Sequence, residues 1–197
     1  MNKKSILSFV FSSLMVVNCT NEKDMNDKVF YDNPENKLWF HKTKTIEQLQ
    51  NAVKQFPGVE FDVVFGEGTE YFDVRYTGEA ITGVDLIKYF GSLPNPKDYY
   101  FWVDFKNLSM ENVDKAITRL KYVVDKFDLL EHVIIEYRDH KALGLVTEAG
   151  FFTCYWVPHG EYKEEDLHNP NHWIVRNVRG KMKESKFHVL SGDYKLS

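Results

Sequence analysis

From Leu38 onward, short apolar runs alternate with longer stretches that are apolar along one stripe only. This alternation is the strongest constraint on the fold. A strand that is apolar on both faces must be covered on both, and one-sided helices between successive strands supply the cover. The pattern therefore reads as a parallel sheet packed by helices. The strand runs are Leu38–Phe40 (ending at His41), Val59–Phe65, Tyr99–Lys106, Val133–Tyr137, Phe151–Val157 and Phe187–Leu190, six in all, with Tyr71–Tyr76 as a further short extended piece. In Val59–Phe65 the two-residue period puts Glu60 and Asp62 on one face and Val59, Phe61 and Val63 on the other.

Helical spacing fills the intervals. Ile46, Leu49, Val53 and Phe56 make one stripe of a helix over Thr45–Phe56, with Thr45 as N-cap, Gln48 completing a capping-box pattern and Pro57-Gly58 as the stop. Val84–Phe90 is a short helix. A long one runs from a Ser109 cap to Phe127, with Val113, Ile117, Leu120 and Val124 inward. Ala142–Ala149, closed by Gly150, and Trp173–Met182 complete the set. The fold class is α/β, and the choice lies between a doubly wound sheet and a (β/α) barrel. No Gly-rich phosphate loop follows the first strand, which argues against nucleotide binding.

The 197 residues are 43% hydrophobic, enough for one domain with a sizeable core. A net charge of -4 with interspersed signs excludes a nucleic-acid surface. Cys19 and Cys154 are the two cysteines, so there is no disulfide framework to read.

The N-terminus has the order of an export signal. Lys3 and Lys4 precede an apolar stretch from Ile6 to Val17, which is too short to span a bilayer comfortably. It ends in Val16-Val17-Asn18-Cys19, followed by a polar run. This resembles a bacterial lipobox with Cys19 as the acylated residue, although Asn18 stands where a small residue is usual. An ordinary secretory signal or a buried N-terminal helix is the alternative. The expected organisation is a signal peptide over 1–19, a tether over 20–36, and one domain over 37–197. The protein is then held at the bacterial cell envelope by a lipid anchor.

Charged residues fall in an unusual place. His41, Glu60, Asp62, Asp104, Lys106 and Glu136 all lie in, or at the ends of, apolar strands. In a barrel, residues at the carboxyl ends of the strands converge on one mouth. Four carboxylates there repel one another unless a cation compensates them, and an all-oxygen donor set suits Ca²⁺ or Mg²⁺. Lys106 and His41 add positive charge and proton transfer. Taken one at a time, each acid also reads as a strand-end residue in a salt bridge, Glu136 most readily. The remaining histidines (His132, His140, His159, His168, His172 and His188) show no zinc-like spacing.

Leu38-Trp39-Phe40-His41, Val59-Glu60-Phe61-Asp62-Val63 and Trp102-Val103-Asp104-Phe105-Lys106-Asn107-Leu108 together resemble the phospholipase C-like phosphodiesterase superfamily. Within it they are similar to the glycerophosphodiester phosphodiesterases, and closest to the menorin-type branch. The resemblance covers about residues 38 to 160. It implies a TIM-type barrel and metal-assisted cleavage of a phosphodiester, with a phosphodiester small molecule or lipid headgroup as partner. By position it implies His41 as catalytic acid or base, Glu60, Asp62 and Asp104 as ligands of Ca or Mg, and Lys106 as the catalytic cation. Lys42, Arg75 and Glu136 become substrate-binding candidates.

Three features depart from that pattern. Lys42 stands where arginine usually follows the first histidine, and lysine does not bind phosphate in a bidentate way. No histidine occurs in Phe72-Asp73-Val74-Arg75-Tyr76-Thr77-Gly78-Glu79, where a second one is expected; Arg75 or Tyr76 takes its place. Six strands fall short of the eight of a TIM barrel, so the expected barrel is incomplete. A catalytically impaired barrel, serving as a ligand-binding or structural lipoprotein, is thus the alternative function. Carbohydrate binding, suggested by Trp39, Trp102, Trp156 and Trp173, is a weaker third reading.

Overall fold

The computed structural model describes residues 39–66, 70–158 and 171–192. The signal segment, Cys19, the tether, His159 and His168 lie outside the described residues. Among the described residues no helix is long and apolar enough to cross a membrane.

The chain forms strands β1 (Trp39–Phe40), β2 (Gly58–Phe65), β3 (Phe72–Val74), β4 (Tyr100–Phe105), β5 (Val133–Tyr137), β6 (Phe152–Trp156) and β7 (Val189–Ser191). Helices α1 (Ile46–Ala52), α2 (Leu86–Gly91), α3 (Val113–Phe127), α4 (His140–Glu148) and α5 (Trp173–Ser185) separate them. Six strands are parallel and adjacent in the order β1-β2-β4-β5-β6-β7. A doubly wound sheet needs a reversal of strand order at its switch point. This sheet has none, and it curls into a half-barrel, as an incomplete TIM-type barrel does. β3 is the exception to parallel pairing. It lies antiparallel on the upper half of β2, while β1 pairs with the lower half.

Strand alternation divides the apolar residues into two cores. Val59, Phe61, Val63, Phe101, Val103, Phe105, Val133 and Ile135 face the helices and meet Leu49, Tyr89, Phe90, Val113, Leu120, Val124 and Leu143 in one large cluster. Trp102, Ile134, Cys154 and Val189 make a smaller cluster on the opposite, concave face, with Trp39 and Phe152 against it. The large cluster fastens the helices, and the small one floors the concavity beneath the acids.

Local structure departs from the sequence pattern in small ways. α1 ends at Ala52 rather than Phe56, with Val53–Gln55 as a turn. Thr45 caps it, accepting from the Gln48 N–H at 3.1 Å, but the Gln48 side chain accepts from the Lys44 N–H, so the reciprocal half of the capping box is absent. Gly58 is not only a helix stop. It is the first residue of β2, and a Cβ there would lie 2.6 Å from the Trp39 ring, so the missing side chain lets the indole pack on the backbone. α3 begins at Val113, not at Ser109. The Asn112 side chain instead closes a turn, accepting from the Ser109 N–H and donating to the Asn107 carbonyl.

Candidate metal and phosphodiester site

The strand register builds the site. Asp62, Asp104, Glu136 and Cys154 are direct neighbours across β2, β4, β5 and β6, so they form one row on the concave face. Glu60 lies one inward-facing step below, level with Trp102. One carboxylate oxygen each from Glu60, Asp62 and Asp104 come within 4.8 Å of one another. These are the three acids that the resemblance implies as metal ligands; Glu136, the fourth acid expected at the mouth, is not among them. Burying them together is costly, because like charges in low dielectric repel and lose hydration.

Proton affinities follow from that cost. Burial, with Asp62 and Asp104 adding repulsion, pushes the Glu60 carboxyl up to about 8. Burial pushes Asp104 up to about 6, against the lowering effect of Lys106. For Lys106, burial works toward a lower value, but Asp104 and Asp62 outweigh it and hold the ammonium above its ordinary range.

Lys106 is placed by its loop. Its N–H donates to the Val63 carbonyl at 2.9 Å. The next residue, Asn107, exchanges two hydrogen bonds of 2.8 Å with the backbone of Phe65, extending the β2–β4 pairing past the strand end. The ammonium then lies 2.6 Å from Asp62 Oδ1 and hydrogen-bonds Asp104 Oδ2.

The β1–α1 loop supplies His41 and Lys42. His41 Nε2 is 3.4 Å from Glu60 Oε2, and its side chain is about one-third exposed. The Lys42 N–H donates to the same carboxylate oxygen at 2.7 Å. Thr43, fully buried, anchors the loop: its Oγ1 donates to the Glu60 carbonyl and accepts from the Tyr89 hydroxyl at 2.6 Å. The exposed Lys42 side chain adds positive charge that lowers the Asp104 carboxyl.

Glu136 is in the row but not among the three close acids. Trp102 Nε1 and Ser191 Oγ both donate to its Oε2, at 3.0 and 2.5 Å. Burial and then Asp104 push its carboxyl up to about 8. Arg75 is built into the turn after β3. It ion-pairs with Asp73 at 3.1 Å and donates from Nη1 to the Glu79 carbonyl, while its N–H binds the Asp62 carbonyl. Tyr76 follows with its ring 5.1 Å from Lys106 Nζ. The histidines His132, His140 and His188 bond elsewhere, to Tyr99, Ser185 and Thr153.

Sequence reading did not find Thr43, Tyr89, Asn107 or Ser191. Each is a single polar residue in an otherwise ordinary segment. Asn107 alone carried a local signal, an amide directly after a strand.

The donor set fits a hard dication. All donors are carboxylate oxygens, they are mutually within reach, and together they carry more charge than the one half-buried Lys106 ammonium between them. No family model matches the chain, and no curated protein matches it. Solved structures do. One is a glycerophosphodiester phosphodiesterase from Parabacteroides distasonis, at TM-score 0.52 and 13% identity, covering 78% of this chain and 81% of that one. Another, from Silicibacter pomeroyi, is assigned as a glycerophosphoryl diester phosphodiesterase, at TM-score 0.50 and 12% identity, covering 65% of this chain and 66% of that one. At such identities the likeness is one of fold: the half-barrel that holds Glu60, Asp62 and Asp104 is the architecture this chain has in common with those proteins.

Proposed function

We propose that this protein is a metal-dependent phosphodiesterase-like hydrolase acting on a glycerophosphodiester or a phospholipid headgroup. The observation that carries the reading is the convergence of Glu60, Asp62 and Asp104 with His41 and Lys106 on one concave face. A parallel-strand mouth with three close carboxylates, one imidazole and one ammonium has the parts that phosphodiester cleavage needs. The fold neighbours named above support the substrate class.

Glu60, Asp62 and Asp104 would hold Ca²⁺ or Mg²⁺. When bound, the ion polarises phosphoryl oxygens and offsets developing negative charge. His41, about one-third exposed at the edge of the site, moves a proton to or from the attacking or leaving hydroxyl oxygen. Lys106 contributes positive charge to the phosphoryl group in the transition state. Of the three substrate-binding candidates, Lys42 offers an exposed charge at the mouth, while Arg75 and Glu136 are buried and bonded to Asp73 and Glu79, and to Trp102 and Ser191. Acylation at Cys19, read from the sequence pattern alone, would hold the domain near a membrane rich in phosphodiester headgroups.

The test is hydrolysis of a chromogenic phosphodiester in Mg²⁺ or Ca²⁺. Loss of about 10²–10⁴-fold in His41→Ala supports the reading. A saturating cation that leaves thermal stability unchanged sinks the metal site, because a ligand of the native state must stabilise it. Cation binding without hydrolysis favours the second reading, an impaired barrel that binds its ligand. Arg75 and Tyr76 at the place expected for a second histidine favour that outcome.

A further inference from the structure

Lys106 stands where a cation would. One ammonium bridges two of the three close carboxylates, at 2.6 Å from Asp62 Oδ1 and in a hydrogen bond to Asp104 Oδ2. A hard dication takes carboxylate oxygens at about 2.0–2.6 Å, a comparable reach to the same two carboxylates. The ammonium and a dication compete for those carboxylates, since two positive charges a few ångströms apart in a half-buried site repel.

The side chain has a direction in which to leave. Tyr76, about half exposed, puts its ring 5.1 Å from Nζ. Rotation of the lysine stem off the carboxylates and along that ring keeps a cation–π partner for the ammonium. It also carries the charge toward the solvent side of the site, from which an anionic substrate arrives.

We propose that Lys106 is a displaceable internal counter-cation, which neutralises Asp62 and Asp104 in the metal-free protein, competes with a divalent cation for their oxygens, and is released toward the substrate when that cation binds. This rests on the metal-site reading above. It gives Lys106 a regulatory role in addition to its charge: cation affinity is set partly by the cost of expelling the lysine, and the ammonium becomes available to the phosphoryl group only in the loaded site.

The test is calorimetric titration of MgCl₂ and CaCl₂ into the wild-type protein, Lys106→Met and Glu60→Gln. Lys106→Met is expected to bind the cation about tenfold tighter or more, and Glu60→Gln to lose binding. Equal or weaker binding by Lys106→Met, with wild type still binding, overturns the displacement and leaves the metal site standing. Absence of binding in both wild type and Lys106→Met overturns both readings.

Lys106→Met leaves two acids uncompensated, so the wild-type chain provides an independent measurement should that variant not fold. Lysines are methylated with formaldehyde and a borohydride reductant, and modification is quantified residue by residue by mass spectrometry, with exposed Lys121 as internal reference. Saturating Ca²⁺ is expected to raise the rate at Lys106 severalfold relative to Lys121. An unchanged or lower relative rate overturns the proposal.

Discussion

The Lys42 N–H donates to Glu60 Oε2 at 2.7 Å, and Lys42 reaches that position in the left-handed region, at φ 64°. A non-glycine residue there carries a steric cost, because Cβ crowds the following carbonyl. In return the backbone donor partly counters the rise in the Glu60 carboxyl's proton affinity.

Lys42→Gly separates the two contributions of this residue. The variant keeps the N–H bond and loses the steric cost, so stability in urea is expected to hold or rise by up to about 1 kcal/mol. Any loss of the proposed phosphodiester turnover then belongs to the side chain. Lys42→Val, β-branched in the same conformation, is expected to be less stable than wild type. A Lys42→Gly variant markedly less stable than wild type contradicts the backbone account.

Stability should depend on pH with a definite sign. The Glu60 carboxyl is raised to about 8 from an ordinary 4.5, first by burial and then by Asp62 and Asp104. Glu136 is raised to a similar value by burial and Asp104. Between about 4.5 and 8 the folded protein holds protons that the unfolded chain has released, so stability falls as pH rises through that window. The effect is on the order of several kcal/mol. Urea midpoints in EDTA from pH 5 to 8.5 measure it. Glu60→Gln is expected to flatten the fall, and a midpoint that rises with pH contradicts it.

Tyr89→Phe probes the anchor of the His41 loop. The ring stays in the core against Phe61 at 4.7 Å, but the hydroxyl bonded to Thr43 is lost. Thr43 Oγ1 still donates to the Glu60 carbonyl. Loss of a buried hydrogen bond is expected to cost about 1–1.5 kcal/mol by chemical denaturation. If Thr43 acts through this bond, the double variant Tyr89→Phe/Thr43→Val costs less than the two single changes summed. Strict additivity argues against the coupling.

Gly58→Ala places a Cβ 2.6 Å from the Trp39 ring and displaces the indole. The expected loss is about 1–3 kcal/mol, typical of overpacking. Trp39 also packs edge-on against Trp102 at 5.8 Å, so the damage should reach the floor of the site. Trp39→Leu in the Gly58→Ala background is expected to recover part of the loss in urea melts. A Gly58→Ala variant as stable as wild type shows that the indole relocates freely.

Much of the site was legible in the sequence because strand parity is local. Residues two apart on a strand share a face whatever the strand pairs with. Glu60 and Asp62 therefore share one strand face, and Asp104 takes the face opposite Val103 and Phe105, whatever the pairing. Boundaries were less legible. Ser109 looks like a helix cap, but Asn112 bonds back to Ser109 and Asn107 and delays α3 to Val113. Side-chain competition for backbone groups of this kind does not appear in a hydrophobic pattern.

The sequence by itself determined the order of strands and helices and the face each strand residue takes, since both follow from periodicities of two and about 3.6 residues. Only the tertiary structure decided who pairs with whom. Glu136 is held by Trp102 and Ser191, 34 and 55 residues away in sequence. Tyr89 reaches Thr43 across 46 residues. The Lys106 ammonium lies between Asp62 and Asp104 rather than out in solvent. Such partnerships depend on strand register, on the curl of the sheet and on rotamers chosen in the packed interior, where leaving a buried polar group unpaired is costly. Those choices belong to the assembled barrel and have no counterpart in any local stretch of the chain.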